Sequence, residues 1–157
     1  MEDQTFYGIS LHFTYQTQKS LIAALLNTTL SYLWVELHGR ASLGEGVLQY
    51  SRGDMAALPV LHPEGFSSQE RHAIQEAFQA MASRPILPIE EEVHQADRMQ
   101  LDTIVMSRFP GRLQVPRDGI VEALLDRVSE RRGMAQARQT ARRLSRQEKR
   151  QEPVFSL

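Results

Sequence analysis

The sequence predicts an α+β fold dominated by helices: a small strand–long helix–strand element followed by about three helices. Three observations carry that prediction. Residues 5–13 are rich in β-formers and partly alternate apolar with polar side chains. Ile22, Leu26, Leu30, Leu33 and Leu37 then recur at steps of three and four, the spacing of one helical face. From residue 67 onward only helical signals remain.

The first strand is expected over residues 5–13. The long helix is expected between Gln16 and His38, where Leu21, Leu25 and Trp34 broaden its apolar face enough for packing on two sides. Gly39 is placed to end it with a left-handed cap. A loop with two glycines follows (Arg40 to Gly46), then a short strand, Val47-Leu48-Gln49-Tyr50. Asp54 to Leu58 has room for one helical turn before Pro59 stops it.

Ser67-Ser68-Gln69-Glu70 has the spacing of a capping box, and Ile74, Ala77, Phe78 and Met81 continue that helix on one face. Pro85 and Pro88 bracket a break. The next helix is expected from about Glu91 to Arg108 with Leu101, Ile104 and Val105 inward, ending at the turn Phe109-Pro110-Gly111. Pro116 opens a last helix carrying Ile120, Val121, Leu124, Leu125 and Val128. Beyond Arg131 the apolar positions thin to Met134, Ala137, Ala141 and Leu144, a stripe that needs a partner or frays in solution. The expected organisation is an α/β element over residues 1–62, a helical segment over 63–133, and a basic tail over 134–157 that is disordered or ordered by a partner.

A chain of 157 residues, 41% hydrophobic and 24% charged, is about one globular domain. The absence of cysteine excludes disulfides, thiolate metal sites and cysteine nucleophiles. Acidic Glu2 and Asp3 stand where a secretory leader would be basic. The most apolar run, residues 21–26, is far short of the ~20 residues of a membrane span. The expectation is a cytoplasmic protein with no membrane contact.

Chemistry-bearing patterns are few. The histidines (His12, His38, His62, His72, His94) form no metal-binding pair, and no Gly-x-Ser-x-Gly elbow or Gly-Lys-Ser/Thr loop occurs. Glu90-Glu91-Glu92 stands where acidic residues complement a helix dipole. No residue is singled out as catalytic, cofactor-binding or metal-ligating. Charge is lopsided instead: residues 1–126 hold nine Lys and Arg against sixteen Asp and Glu, whereas residues 127–157 hold nine against three. A basic end behind an acidic body suits either a polyanion contact or a solvated helix end.

The ordered set Leu26-Asn27-Thr28-Thr29-Leu30, Glu36-Leu37-His38-Gly39-Arg40, Leu43-Gly44-Glu45-Gly46-Val47-Leu48 and Leu58-Pro59-Val60 is similar to the target-recognition region of a known family. That family is the adenine-specific DNA methyltransferases of type I and type IIG restriction-modification systems. Leu101-Asp102-Thr103-Ile104-Val105 and the helix through Arg131-Arg132 resemble its C-terminal helices, so the likeness spans about residues 5–145. The family's Asn-Pro-Pro-Tyr motif and glycine-rich S-adenosylmethionine loop do not occur in the chain. A base must be flipped into a pocket beside the methyl donor to be methylated in a duplex. The resemblance therefore implies a DNA-recognition module, non-catalytic alone, acting on duplex DNA with a separate catalytic subunit that binds S-adenosylmethionine.

The candidate DNA contacts are Arg40, Gly44 and Gly46 at the glycine loop and Arg131, Arg132, Arg142 and Arg143 in the basic end. For Arg40 and the glycines the alternative is local: an intramolecular salt bridge and a simple chain reversal. Asn27 and Trp34 read as structural rather than base-reading. Two other functions stay open, a protein-docking subunit using the apolar helix, and a non-functional remnant of a truncated gene.

Overall fold

The computed structural model describes residues 9–41, 46–109 and 115–151, with side chains to residue 147. These residues are 72% helical and contain no strand, so the fold is all-helical and the expected α+β class is corrected. Of the first expected strand, residues 5–8 lie outside the described part. Residues 9–12 are irregular, and Phe13–Gln18 is a 3-10 helix capped by the His12 side chain. The second expected strand is reduced to one antiparallel bridge between Arg40 and Gln49 (N···O 3.0 and 2.8 Å). Both failures have one cause: β-forming side chains need neighbouring strands to pair with, and a lone strand pair is marginal.

Seven α-helices follow in order among the described residues. They are α1 (Lys19–Leu26), α2 (Thr29–His38), α3 (Arg52–Ala56), α4 (Ser68–Ala82), α5 (Ile89–Glu92), α6 (Ala96–Met106) and α7 (Arg117–Gln151). The expected long helix is broken into α1 and α2 because Thr28 leaves the helical conformation to cap α2, accepting a bond from the Ser31 amide. Gly39 is extended (φ −68°, ψ 144°) rather than left-handed. A Cβ there would stand 2.7 Å from the Val35 carbonyl oxygen, so close approach of backbone is what requires glycine. The capping box of Ser67 and Glu70 forms as its spacing predicts. The expected helix from Glu91 to Arg108 is interrupted between α5 and α6, where Glu92 turns inward. The turn at Phe109-Pro110-Gly111 falls mostly outside the described residues.

One apolar cluster joins Leu21, Ala24 and Leu25 of α1 to Phe66, Ile74 and Ala77 and to Leu101 and Val105 of α6. A second joins Val93 to Val121, Leu124 and Val128 of α7, with Tyr32 and Leu33 of α2 packed against it. The core therefore draws on both sides of residue 62. Between the clusters lies a buried charged network. Arg98 is 2% exposed and donates to Glu92 (2.9 Å), to the Asn27 carbonyl and to the Tyr32 hydroxyl. Arg84 forks onto Glu92 and Asp97, and Arg117 reaches Asp102 at 3.0 Å. Hydrogen-bonded pairing on this scale is what makes buried charge tolerable.

No single helix among the described residues is long and apolar enough to cross a membrane. The bent pair Phe13–Leu26 and Thr29–His38 reaches that length only across a 68° break.

Candidate nucleic-acid interface

Helix α7 is 35 residues long, about 52 Å at the usual rise. Its first half is held by apolar packing, the last buried residue being Ala135. From residue 136 to 147 every residue is exposed. The stretch 131–147 carries six arginines and no aspartate or glutamate. Near-neutral solvated helices mix both signs, so this segment has a polarity of its own.

The candidate residues separate into engaged and open groups. Arg40 donates to Asp54 at 2.9 Å. Asp54 also closes the capping box of α3, and its bonds from Ser51, then from Arg40, bring its carboxyl down to about 2. Arg40 thus adopts the local salt bridge. Gly44 lies outside the described residues. Gly46 has φ +75°, and its carbonyl accepts from the Arg131 guanidinium.

Arg131 also forks onto Glu36 (2.8 and 2.6 Å), locking α7 to α2. The Glu36 hydrogen bonds raise the Arg131 pKa further, so its charge is permanent and already partnered. Arg132 pairs with Glu90 at the surface, whose carboxyl is lowered by backbone bonding and by Arg132. Arg138 donates to the Ala41 carbonyl at 3.0 Å.

Arg142, Arg143 and Arg146 differ from all of these. Each is exposed and has no acidic partner among the described residues. Arg146 belongs to the basic end that the sequence offers for backbone contacts. The structure brings it beside Arg142, one turn earlier on the same helix. An arginine fork with five donors matches phosphate oxygens, and a cluster of three on an uncovered helix offers that match without breaking any intramolecular pair.

The sequence reading missed the buried network. Glu92 stands at a helix start, where the dipole alone would account for an acid, yet it is 6% exposed and holds both Arg84 and Arg98. Arg98 and Asp102 share the inward face set by Leu101 and Val105, and that register was the available signal. The network has its hydrogen bonds made internally, and Tyr32, Arg84, Glu92 and Arg98 of it line an open cavity of about 350 Å³. No group of three or more metal-ligating side chains occurs among the described residues. Compared with family models, curated proteins and solved structures, the chain matches none.

Proposed function

We propose that this chain is a DNA-binding module that grips the duplex backbone through the distal half of α7 and leaves catalysis to a separate chain. The observation that carries the reading is the acid-free segment 131–147 with Arg142, Arg143 and Arg146 exposed and unpaired. Contacts to phosphate supply most sequence-independent affinity for DNA, and they require free cationic side chains on an accessible surface. The methyltransferase setting, with S-adenosylmethionine on the partner, rests on the ordered motifs between Leu26 and Val60. Their β-framework is not present among the described residues, so the proposal places the grip on α7 rather than on Arg40.

Duplex binding followed by fluorescence anisotropy tests the grip. Wild type and Arg40→Ala bind alike, and Arg142→Ala/Arg143→Ala/Arg146→Ala binds at least ten-fold more weakly at low salt. Equal binding by the triple variant overturns the assignment. For the catalytic half, adding this chain to the S-adenosylmethionine-binding subunit raises site-specific adenine methylation, and no increase under any condition removes that half of the proposal.

A further inference from the structure

A cavity of about 350 Å³ opens between α2, α4, α6 and the link that leads into α5. Phe78, Met81, Ile86, Leu87 and Ile89 are its main apolar lining. Its polar lining is continuous through hydrogen bonds, running from Arg84 to Glu92, Arg98, Tyr32 and Asn27. A few placed polar groups on an apolar wall, at this volume, are the usual make-up of a small-molecule site. We propose that this cavity binds a small uncharged ligand with an apolar body and a carboxamide end.

The charges select an uncharged ligand. Arg84 and Arg98 are balanced by Glu92 and by Asp97, which grips Arg84 from outside the lining. A ligand carrying charge would leave water and find no counter-charge left to meet it. An uncharged one escapes that cost.

The remaining hydrogen-bonding capacity selects the amide. All five donors of Arg84 are taken, by Glu92, Asp97 and the Pro85 carbonyl. Arg98 spends four on Glu92, Tyr32 and the Asn27 carbonyl, which leaves one hydrogen on Nη1 among the described residues. The Asn27 side-chain amide gives one hydrogen to the Ala23 carbonyl and keeps the other. Glu92 Oε2 accepts only from Arg84 Nη1 among the described residues, so a lone pair stays open. Donor and acceptor therefore lie at one end, with Arg98 and Glu92 joined at 2.9 Å. A carboxamide answers both: its carbonyl accepts from Arg98 and its N–H donates to Glu92. An ester answers only the donor.

The donor is also held in place before any ligand arrives. Arg98 is 2% exposed, and its guanidinium lies 4.6 Å from the Tyr32 ring centroid. Ile86 stands at the opposite extreme, 95% exposed between Pro85 and Pro88, whose rings restrict the link. The apolar body of the ligand covers Ile86, an area that the free protein leaves in water.

Calorimetric titration with octanamide, octanoate and octylamine, matched in chain length, tests the proposal. Octanamide binds saturably and raises the melting temperature, as a ligand of the native state must. The anion and the cation each bind at least ten-fold more weakly. N,N-dimethyloctanamide keeps the carbonyl, loses the N–H donors and is weakened likewise. Amide nitrogen–proton spectra place the octanamide shifts at Phe78, Leu87 and Ile89.

Two variants at exposed lining positions leave the buried network untouched. Ile86→Ser keeps the charge balance and removes apolar contact, and Ala82→Trp narrows the cavity. Both melt as wild type does, and each binds octanamide roughly ten-fold more weakly. Equal affinity for the three head groups, shifts that fall outside this cavity, or no saturation up to the solubility of octanamide overturns the proposal.

Discussion

Thr29 and Asp102, 73 residues apart in sequence, meet in the core with both atoms of the carboxylate engaged: the Thr29 amide donates to one oxygen at 2.9 Å and its hydroxyl to the other at 2.6 Å. A side chain of α6 thereby serves the first turn of α2, whose free amides and dipole favour an anion. The same carboxylate holds Arg117 at the start of α7. One fully buried residue ties three helices.

Asp102→Ala removes the ionic partner of Arg117, which keeps its bond to the Val93 carbonyl, and leaves the Thr29 donors unanswered. Breaking a buried pair from one side costs about 3–5 kcal/mol. Chemical denaturation is expected to show a loss of that order, and a change under about 1 kcal/mol would mean the contact carries no such weight.

Glu36 and Arg131 lock α2 to α7 with their side chains 10% and 20% exposed. Charge-assisted bonds of this kind contribute about 1.5–3 kcal/mol. A double-mutant cycle over Glu36→Ala and Arg131→Ala is expected to give a coupling in that range. Arg131→Ala should lower stability far more than it lowers duplex affinity.

Gly46→Ala is expected to destabilise. Its φ of +75° costs a non-glycine residue about 1–2 kcal/mol, and the new Cβ would lie 3.2 Å from that of Ala135. If Gly46 served DNA instead, duplex affinity would fall while the melting temperature held.

Acid should erode stability in a defined window. Hydrogen bonds from Arg84 hold the Glu92 and Asp97 carboxyls below their ordinary values of 4.5 and 3.8, and Arg108 with Ser67 holds Glu70 at about 2. Depressed carboxylates stabilise the fold above their unfolded pKa and lose that contribution as pH falls through the folded one. Melting temperature is expected to stay level down to about pH 5 and then fall steadily towards pH 2. Arg84→Ala lowers it at neutral pH and flattens the acid limb. An acid limb as steep as that of wild type would remove Arg84 as the cause.

Helix positions were legible wherever apolar periodicity and caps agreed, as at Ser67 with Glu70 and along Val121, Leu124 and Val128. The break at Thr28 was not, because Ile22 through Leu37 keep one periodicity across it and a capping hydroxyl leaves that stripe unchanged. Residues 5–13 and 47–50 read as strands because propensity is local, whereas a strand exists only where a partner strand is supplied, and the described part of the first, residues 9–13, has none. The arginines behaved similarly. Composition located the basic end, but whether Arg131 faces Glu36 or Arg142 faces solvent is decided by which turn of α7 still touches α2.

The salt dependence of duplex binding tests the assignment of α7 to DNA most directly. Each phosphate contact contributes about 0.9 to the slope of log K against log salt concentration. Replacing Arg142, Arg143 and Arg146 with alanine is therefore expected to reduce that slope by roughly 2.7, with Arg40→Ala leaving it unchanged. Identical slopes for wild type and the triple variant, or no duplex binding at low salt, would contradict the assignment of α7 to DNA.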